Sequence, residues 1–251
     1  MKPTLDKMYR IDIKKEIMED GQGIWMLGDD KFLMEQAPKA IKEYKGPLDV
    51  VVDIGAHVGI VTLAAAHLGA KVYAFEPSEL NIQILTRNIV EHGLADKVTI
   101  IPMAVTNHSG DSLPLLMATN FCSSGQRSLV FKNSNEFPVE SMVATISFKD
   151  LLRKIFSLEG KIDYLKCDIE GGEYLIIEED PELKELVSKV GFIEMSVHPL
   201  GDNRYFKGDP KNYVQIMEDW LESCMPGRWV IPWGTPTDRD FCIRLGRGET
   251  K

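Results

Sequence analysis

Residues 50–59 read VVVDIGAHVG, and no other stretch narrows the choice of fold so far. A continuous β-branched run fits a strand buried on both faces, as in a parallel sheet. A glycine just past its end allows a sharp turn and lets another group approach the backbone closely. The following GIVTLAAAHLG places small and apolar residues at helical spacing, with Gly69 as the residue beyond the helix end. KVYAFEP (71–77) reads as the next strand and Ser78 as the N-cap of a second helix. That helix has Leu80, Ile84, Leu85 and Ile89 on one face and stops at Gly93. KVTIIPMAV (97–105) reads as a third strand. This β–α–β–α–β succession predicts an α/β fold, a doubly wound and mostly parallel sheet with right-handed crossovers.

The remaining chain is expected to decorate and complete that sheet. Residues 8–35 alternate weakly in MYRIDI, GIWML and KFLMEQ, with the turn signals GQG and GDD between them. Residues 1–48 are therefore read as a β-rich N-terminal extension, with a short helix over 37–46, and 49–251 as the main domain. Residues 106–147 read as irregular until the strand-like SMVATISF. A helix (148–157), the strand DYLKCDI (163–169), a helix starting near Glu173 and the strand KVGFIEMSVH (189–198) follow. After a polar loop come an amphipathic helix around 211–224 and the strands WVIPW and FCIRLG. No helix separates these last two, so they are expected as an antiparallel pair at the sheet edge.

Charge and hydropathy exclude several functions. The chain has 38 acidic against 29 basic residues, a net charge of -9, so its surface repels phosphate backbones and nucleic acid is not an expected partner. No apolar run approaches the roughly 18 residues of a spanning helix, and no membrane partner is expected. The start, MKPTLDKMYR, carries no apolar leader, and its expected place is the cytoplasm. Cys122, Cys167, Cys224 and Cys242 form neither a C-x-x-C pair nor a zinc-spaced cluster. Cys167, in an apolar run, reads as a small core residue.

In open parallel sheets, ligands sit beyond the carboxyl ends of the strands, where Gly55 and Gly59 fall. A dinucleotide site would carry G-x-G-x-x-G, but here His57 stands at the middle glycine. Asp53 would also repel a pyrophosphate. An acid there suits a cationic ligand, and the sulfonium and ammonium of S-adenosylmethionine fit that description. Gly59, at the helix start, is expected to permit tight packing against the strand. Glu76 lies at the end of the second strand, where a carboxylate accepts hydrogen bonds from ribose hydroxyls.

The segments DIGAHVG, AFEPSELNIQILTRN, IIPMAVTNHSGD and YLKCDIEGGEY occur in order, and over residues 49–198 the chain resembles the FkbM-type methyltransferases. The resemblance implies a Rossmann-like class I methyltransferase fold, a seven-stranded sheet with a reversed last strand. It implies S-adenosylmethionine-dependent O-methylation. The cofactor would be lined by Asp53, Gly55, Ala56 and Gly59, with its ribose on Glu76 and its adenine beside Ala104 and Val105. The implied acceptor is a hydroxylated small molecule, a sugar or a secondary metabolite.

Methyl transfer to a hydroxyl needs an aligned nucleophile and a base or metal. Asp168 and Glu170 in CDIEGGEY, and His198 at the end of the fifth strand, are the candidate catalytic residues. Glu194 and His198 are four apart and would project to one side of a straight strand. Asp168, Glu170, Glu194 and His198 together make a donor set for a divalent ion, although no metal is assigned from sequence. Tyr205 and Phe206, in NRYFKGD, are candidates to close over a substrate. Three other readings stay open. A nicotinamide-dependent oxidoreductase is disfavoured by His57 and Asp53. An amine or nucleic-acid methyltransferase is disfavoured by DIEG where an Asn/Asp-Pro-Pro-aromatic segment would stand. The last is a non-catalytic binding module. The extension is read as either a homodimer interface or a lid.

Overall fold

The computed structural model describes residues 13–17, 22–27, 39–117, 127–130, 138–198, 211–226, 229–233 and 241–246. Its centre is a seven-stranded sheet built from β3 (Val50–Ile54), β4 (Lys71–Phe75), β5 (Val98–Ile101), β10 (Tyr164–Cys167), β11 (Phe192–Val197), β12 (Trp229–Trp233) and β13 (Phe241–Gly246). The spatial order is β12-β13-β11-β10-β3-β4-β5. Neighbours from β11 through β10, β3 and β4 to β5 run parallel, whereas β13 runs antiparallel to both β11 and β12. This is the doubly wound sheet with one reversed strand that the sequence predicts.

All five residues of β3 are buried, which its unbroken apolar run requires. Helix α2 (Ile60–His67) begins after Gly59, whose φ is 97°. Helix α3 (Glu79–Glu91) is capped by the Ser78 hydroxyl, which accepts from the Asn81 N–H. Apolar clusters cover both faces of the sheet. One is closed by α2 and α3, the other by α4 (Phe148–Glu159), α5 (Pro181–Lys189) and α6 (Lys211–Cys224). Cys167 and Cys224 are buried free thiols within the second cluster. No helix among the described residues is long and apolar enough to cross a membrane.

The extension forms the antiparallel hairpin of β1 (Ile13–Ile17) and β2 (Gly23–Leu27), followed by α1 (Lys39–Glu43). The first strand lies on IKKEI, C-terminal to most of MYRIDI; KFLMEQ lies outside the described residues. Ile24, Met26 and Ile41 are fully buried in the same cluster as Val51 and Val72. Asn88 fixes β2 to α3: its Oδ1 accepts from Trp25 N at 2.7 Å and its Nδ2 donates to Trp25 O at 3.0 Å.

Three segments differ from the sequence reading. KVTIIPMAV is not one strand: β5 ends at Ile101 and, after Pro102, β6 (Ala104–Thr106) leaves the main sheet. There it pairs with β9 (Val139–Ser147), and the described residues of 106–147 are largely strand rather than irregular. With β7 (Ser112–Met117) and β8 (Arg127–Ser128) they make a second sheet of order β6-β9-β7-β8. Near Glu173 there is only a 3₁₀ turn (Gly172–Leu175), because Glu173 spends its carboxylate on the preceding loop; the helix proper starts at Pro181, capped by Asp180.

Gly55 joins the two halves of the sheet at their carboxyl ends. Its φ is 76°, and a Cβ there would stand 1.9 Å from the Asp168 carbonyl oxygen. Gly69 has φ 103°, but a Cβ there would meet no atom within 4 Å. Gly55→Ala is expected to lower stability by more than about 3 kcal/mol, because rigid backbone must move. Gly69→Ala should cost about 1–2 kcal/mol, the backbone conformation alone. Urea denaturation of the two variants measures the difference.

Candidate active site

A cleft of about 940 Å³, counting its open mouth, lies beyond the carboxyl ends of β3, β4 and β10. The Gly55–Ala56–His57 turn forms its floor, Ala104, Val105 and Leu115 of the second sheet with Leu129 just beyond β8 form an apolar wall, and charged groups stand at both ends.

Glu76 and Asn81 occupy one end. Glu76 is buried and accepts from His57 N at 2.8 Å, Ser78 N at 2.9 Å and Asn81 Nδ2 at 3.2 Å. Burial raises its pKa; the backbone bonds from Ser78 and His57, Asn81 and the nearby Arg127 oppose that shift without cancelling it. A carboxylate has about four acceptor positions, so one remains here. Asn81 Oδ1 is buried and accepts no hydrogen bond among the described residues. Two acceptors thus stand side by side at the cleft, the pattern that a vicinal diol satisfies. Arg127 donates to Glu140 at 2.6 Å, and Ser78 Oγ reaches the other oxygen of Glu140 at 3.2 Å, tying this end to the second sheet.

Lys166, Asp168, Glu170 and His198 form the other end. Strand pairing sets Lys166 beside Asp53 and Glu194. The Lys166 ammonium donates to Gly55 O at 2.8 Å and lies 3.5 Å from Asp53 Oδ1 and 3.8 Å from Asp168 Oδ2. Burial works against its charge, but the two carboxylates outweigh it and hold its pKa above that of ordinary lysine.

The loop after β10 bends sharply, with φ 53° at Glu170 and 88° at Gly171. Glu173, wholly buried, accepts from Ile169 N and Gly171 N, both at 2.8 Å, and Ser128 Oγ donates to Glu170 O at 2.6 Å. His198 Nδ1 lies 3.1 Å from Glu173 Oε1, and its Nε2 lies 3.7 Å from Asp168 Oδ1 and 3.9 Å from Glu170 Oε2. Burial opposes the imidazolium, but Glu170, Glu173 and Asp168 together hold the His198 pKa well above its usual value.

Of the residues singled out from sequence, Gly55, Ala56, Glu76, Ala104, Asp168 and Glu170 border the cleft. His198 stands behind Asp168 and Glu170 and contacts both. Asp53 is wholly buried: Thr62 Oγ1 donates to its Oδ2 at 2.6 Å, and the cation facing its other oxygen is Lys166. Gly59 serves helix packing rather than strand packing, since a Cβ there would lie 2.4 Å from Leu85 Cδ1. Glu194 accepts a hydrogen bond from the Tyr164 hydroxyl and stays apart from the Asp168–Glu170–His198 group. Tyr205 and Phe206 lie outside the described residues. Sequence reading passed over Lys166, Glu173 and Asn81. A lysine inside the apolar strand YLKC was a visible signal; Glu173 acts through folded-back backbone and Asn81 through the Glu76 carboxylate, contacts that only the fold creates.

Residues 53–225 match the family described as the methyltransferase FkbM domain. The chain is similar to a ribosomal protein L11 methyltransferase of Carboxydothermus hydrogenoformans, 29% identical over 119 residues that cover 47% of this chain and 39% of that protein. It is similar also to a mitochondrial ribosomal RNA small subunit methyltransferase of Arabidopsis thaliana, 28% identical over 180 residues, 70% of this chain and 44% of that protein. The matches thus span less than half the length of either relative. Among solved structures, the fibrillarin pre-rRNA processing protein of Methanococcus jannaschii shares the fold at 14% identity, with a TM-score of 0.50 over 95% of this chain and 84% of that one.

Lys166→Met leaves Asp53 buried without its countercharge and is expected to cost about 3–5 kcal/mol. Combining it with Asp53→Asn should cost less than the sum of the two single changes, because the double variant strands no charge. A urea-denaturation double-mutant cycle tests this coupling.

Proposed function

The chain belongs to the FkbM methyltransferase family, whose methyl donor is S-adenosylmethionine, and on that premise we propose that it methylates a hydroxyl oxygen of a small molecule, a sugar or a secondary metabolite. The observation that carries this reading is one continuous cleft with a diol-accepting end at Glu76 and Asn81 and an oxygen- and imidazole-bearing end at Asp168, Glu170 and His198.

The residues fit the donor. Glu76 and the free acceptor atom of Asn81 would hold the ribose hydroxyls. Ala104 and Val105 would lie beside the adenine, with the backbone of Gly55 and Ala56 beneath the ligand and Gly59 keeping α2 and α3 close. Asp53 would act through Lys166, fixing the ammonium that holds the Gly55 carbonyl. S-adenosylmethionine supplies, when bound, an electrophilic methyl group on a sulfonium. Transfer forms an O–C bond, breaks the S–C bond and frees one proton from the acceptor hydroxyl. Asp168 and Glu170 border the space where that hydroxyl would sit; their carboxylates would take up its proton, and His198 would hold those carboxylates in place. The acidic groups at this end also favour a cationic donor over a pyrophosphate.

A second reading places the acceptor in a ribosomal protein or RNA, as the names of two relatives describe for those proteins. The net charge of -9 weighs against RNA.

Calorimetric titration with S-adenosylhomocysteine is expected to show saturable binding, weakened about tenfold to a hundredfold by Glu76→Gln, the value of a hydrogen bond to a charged group. Asn81→Ala should weaken it as well. Isotope-labelled S-adenosylmethionine offered with hydroxylated sugars and metabolites, ribosomal RNA or ribosomal protein should label the small-molecule fraction. Label in RNA or protein would overturn the acceptor assignment. Binding of NAD in place of S-adenosylhomocysteine would overturn the cofactor.

A further inference from the structure

Asp168, Glu170 and His198 bring three donor atoms within 4.8 Å of one another. The His198 Nε2 separations of 3.7 Å to Asp168 Oδ1 and 3.9 Å to Glu170 Oε2 are too long for hydrogen bonds. With metal–ligand bonds of roughly 2.0–2.2 Å, neighbouring donors around one cation stand roughly 3–3.6 Å apart, so these separations need close by only a few tenths of an ångström for the groups to share one ion.

An independent feature sets this group apart from an ordinary acidic cluster. His198 is 6% exposed, and its Nδ1 faces Glu173, which is 0% exposed. Glu173 is fixed in turn by two backbone N–H groups. A buried carboxylate on one ring nitrogen, with the other nitrogen turned toward further donors, is the outer-shell arrangement that orients metal-bound imidazole. The charge balance agrees. Asp168, Glu170 and Glu173 surround the imidazole, and the Lys166 ammonium nearby is shared with Asp53.

We infer that Asp168, Glu170 and His198 bind one divalent first-row transition-metal ion at the inner end of the cleft, with Glu173 as the positioning residue for His198. One imidazole and two carboxylates suit this class better than Ca²⁺, which takes 6–8 oxygen ligands. Three protein ligands leave coordination positions open, and Asp168 and Glu170 border the cleft, so those positions face it. A hydroxyl bound there would lose its proton more readily, as metal-bound water does. That last step rests on the methyltransferase reading; binding of the ion does not.

The test uses the full chain after chelator treatment, titrated with MnCl₂ while free Mn²⁺ is followed by its paramagnetic resonance signal. S-adenosylhomocysteine is titrated in parallel, and circular dichroism checks each variant's fold. One Mn²⁺ per chain is expected. Asp168→Asn and Glu170→Gln should each weaken it at least about tenfold, and Glu173→Gln about tenfold to a hundredfold, the range for outer-shell changes. Glu173→Gln should leave binding of S-adenosylhomocysteine within about twofold, which a general loosening of the cleft would not. A folded chain that binds S-adenosylhomocysteine but no stoichiometric Mn²⁺, or whose Mn²⁺ binding ignores these substitutions, overturns the site. Stoichiometric Mn²⁺ binding without S-adenosylhomocysteine binding leaves the ion site standing and removes the methyltransferase reading.

Discussion

The Lys166 ammonium is the contact on which both ends of the cleft depend. A buried ammonium costs several kcal/mol unless it is paired and hydrogen-bonded. Here it finds Asp53 on the neighbouring strand, Asp168 at the end of its own strand and the Gly55 carbonyl in the turn between β3 and α2. Satisfying that charge draws the carboxyl ends of β3 and β10 together, until no side chain fits at Gly55 against the Asp168 carbonyl. The turn that floors the cleft and the loop bearing Asp168 and Glu170 are therefore held against each other.

The second sheet closes the cleft from above and ties its ends to each other. Ser128 holds the carbonyl of Glu170, a residue whose positive φ costs about 1–3 kcal/mol. Arg127, beside it, pairs with Glu140, which also reaches Ser78 next to the Glu76 end. Two adjacent residues of one short strand thus support both ends of the cleft. Glu173 completes the arrangement from below by binding the N–H groups of the loop and the His198 ring. On the far side, the N-terminal hairpin shares its core with α2 and α3 through Ile24 and Met26, so the extension is continuous with the main fold.

The elements legible in the sequence were those with a strong local signature. VVVDI read as a buried strand, Ser78 capped α3 after the next strand, and the final strands without an intervening helix formed the antiparallel edge. The signal failed where local preference and tertiary demand diverged. Pro102 interrupts an apolar run without saying that its second half joins another sheet. The Gly, Ser and Asn content of residues 106–147 hid strands whose partners come from distant parts of that segment. Glu173 sits in helix-compatible sequence, yet its carboxylate is taken by the loop before it.

Order and spacing along the chain determined the doubly wound fold, the cleft beyond the strand ends, and the presence there of Glu76, Asp168 and Glu170. Those properties follow from hydrophobic period and glycine placement, which act over a few residues. The tertiary structure decided what each charge faces. Asp53 meets Lys166 because strands far apart in sequence lie side by side in one register, and the Lys166–Gly55 contact spans 111 residues. His198 turns toward Asp168 and Glu170 because Glu173 holds its other nitrogen. Electrostatic pairing depends on distances of a few ångströms in space, which residue order along a chain does not specify.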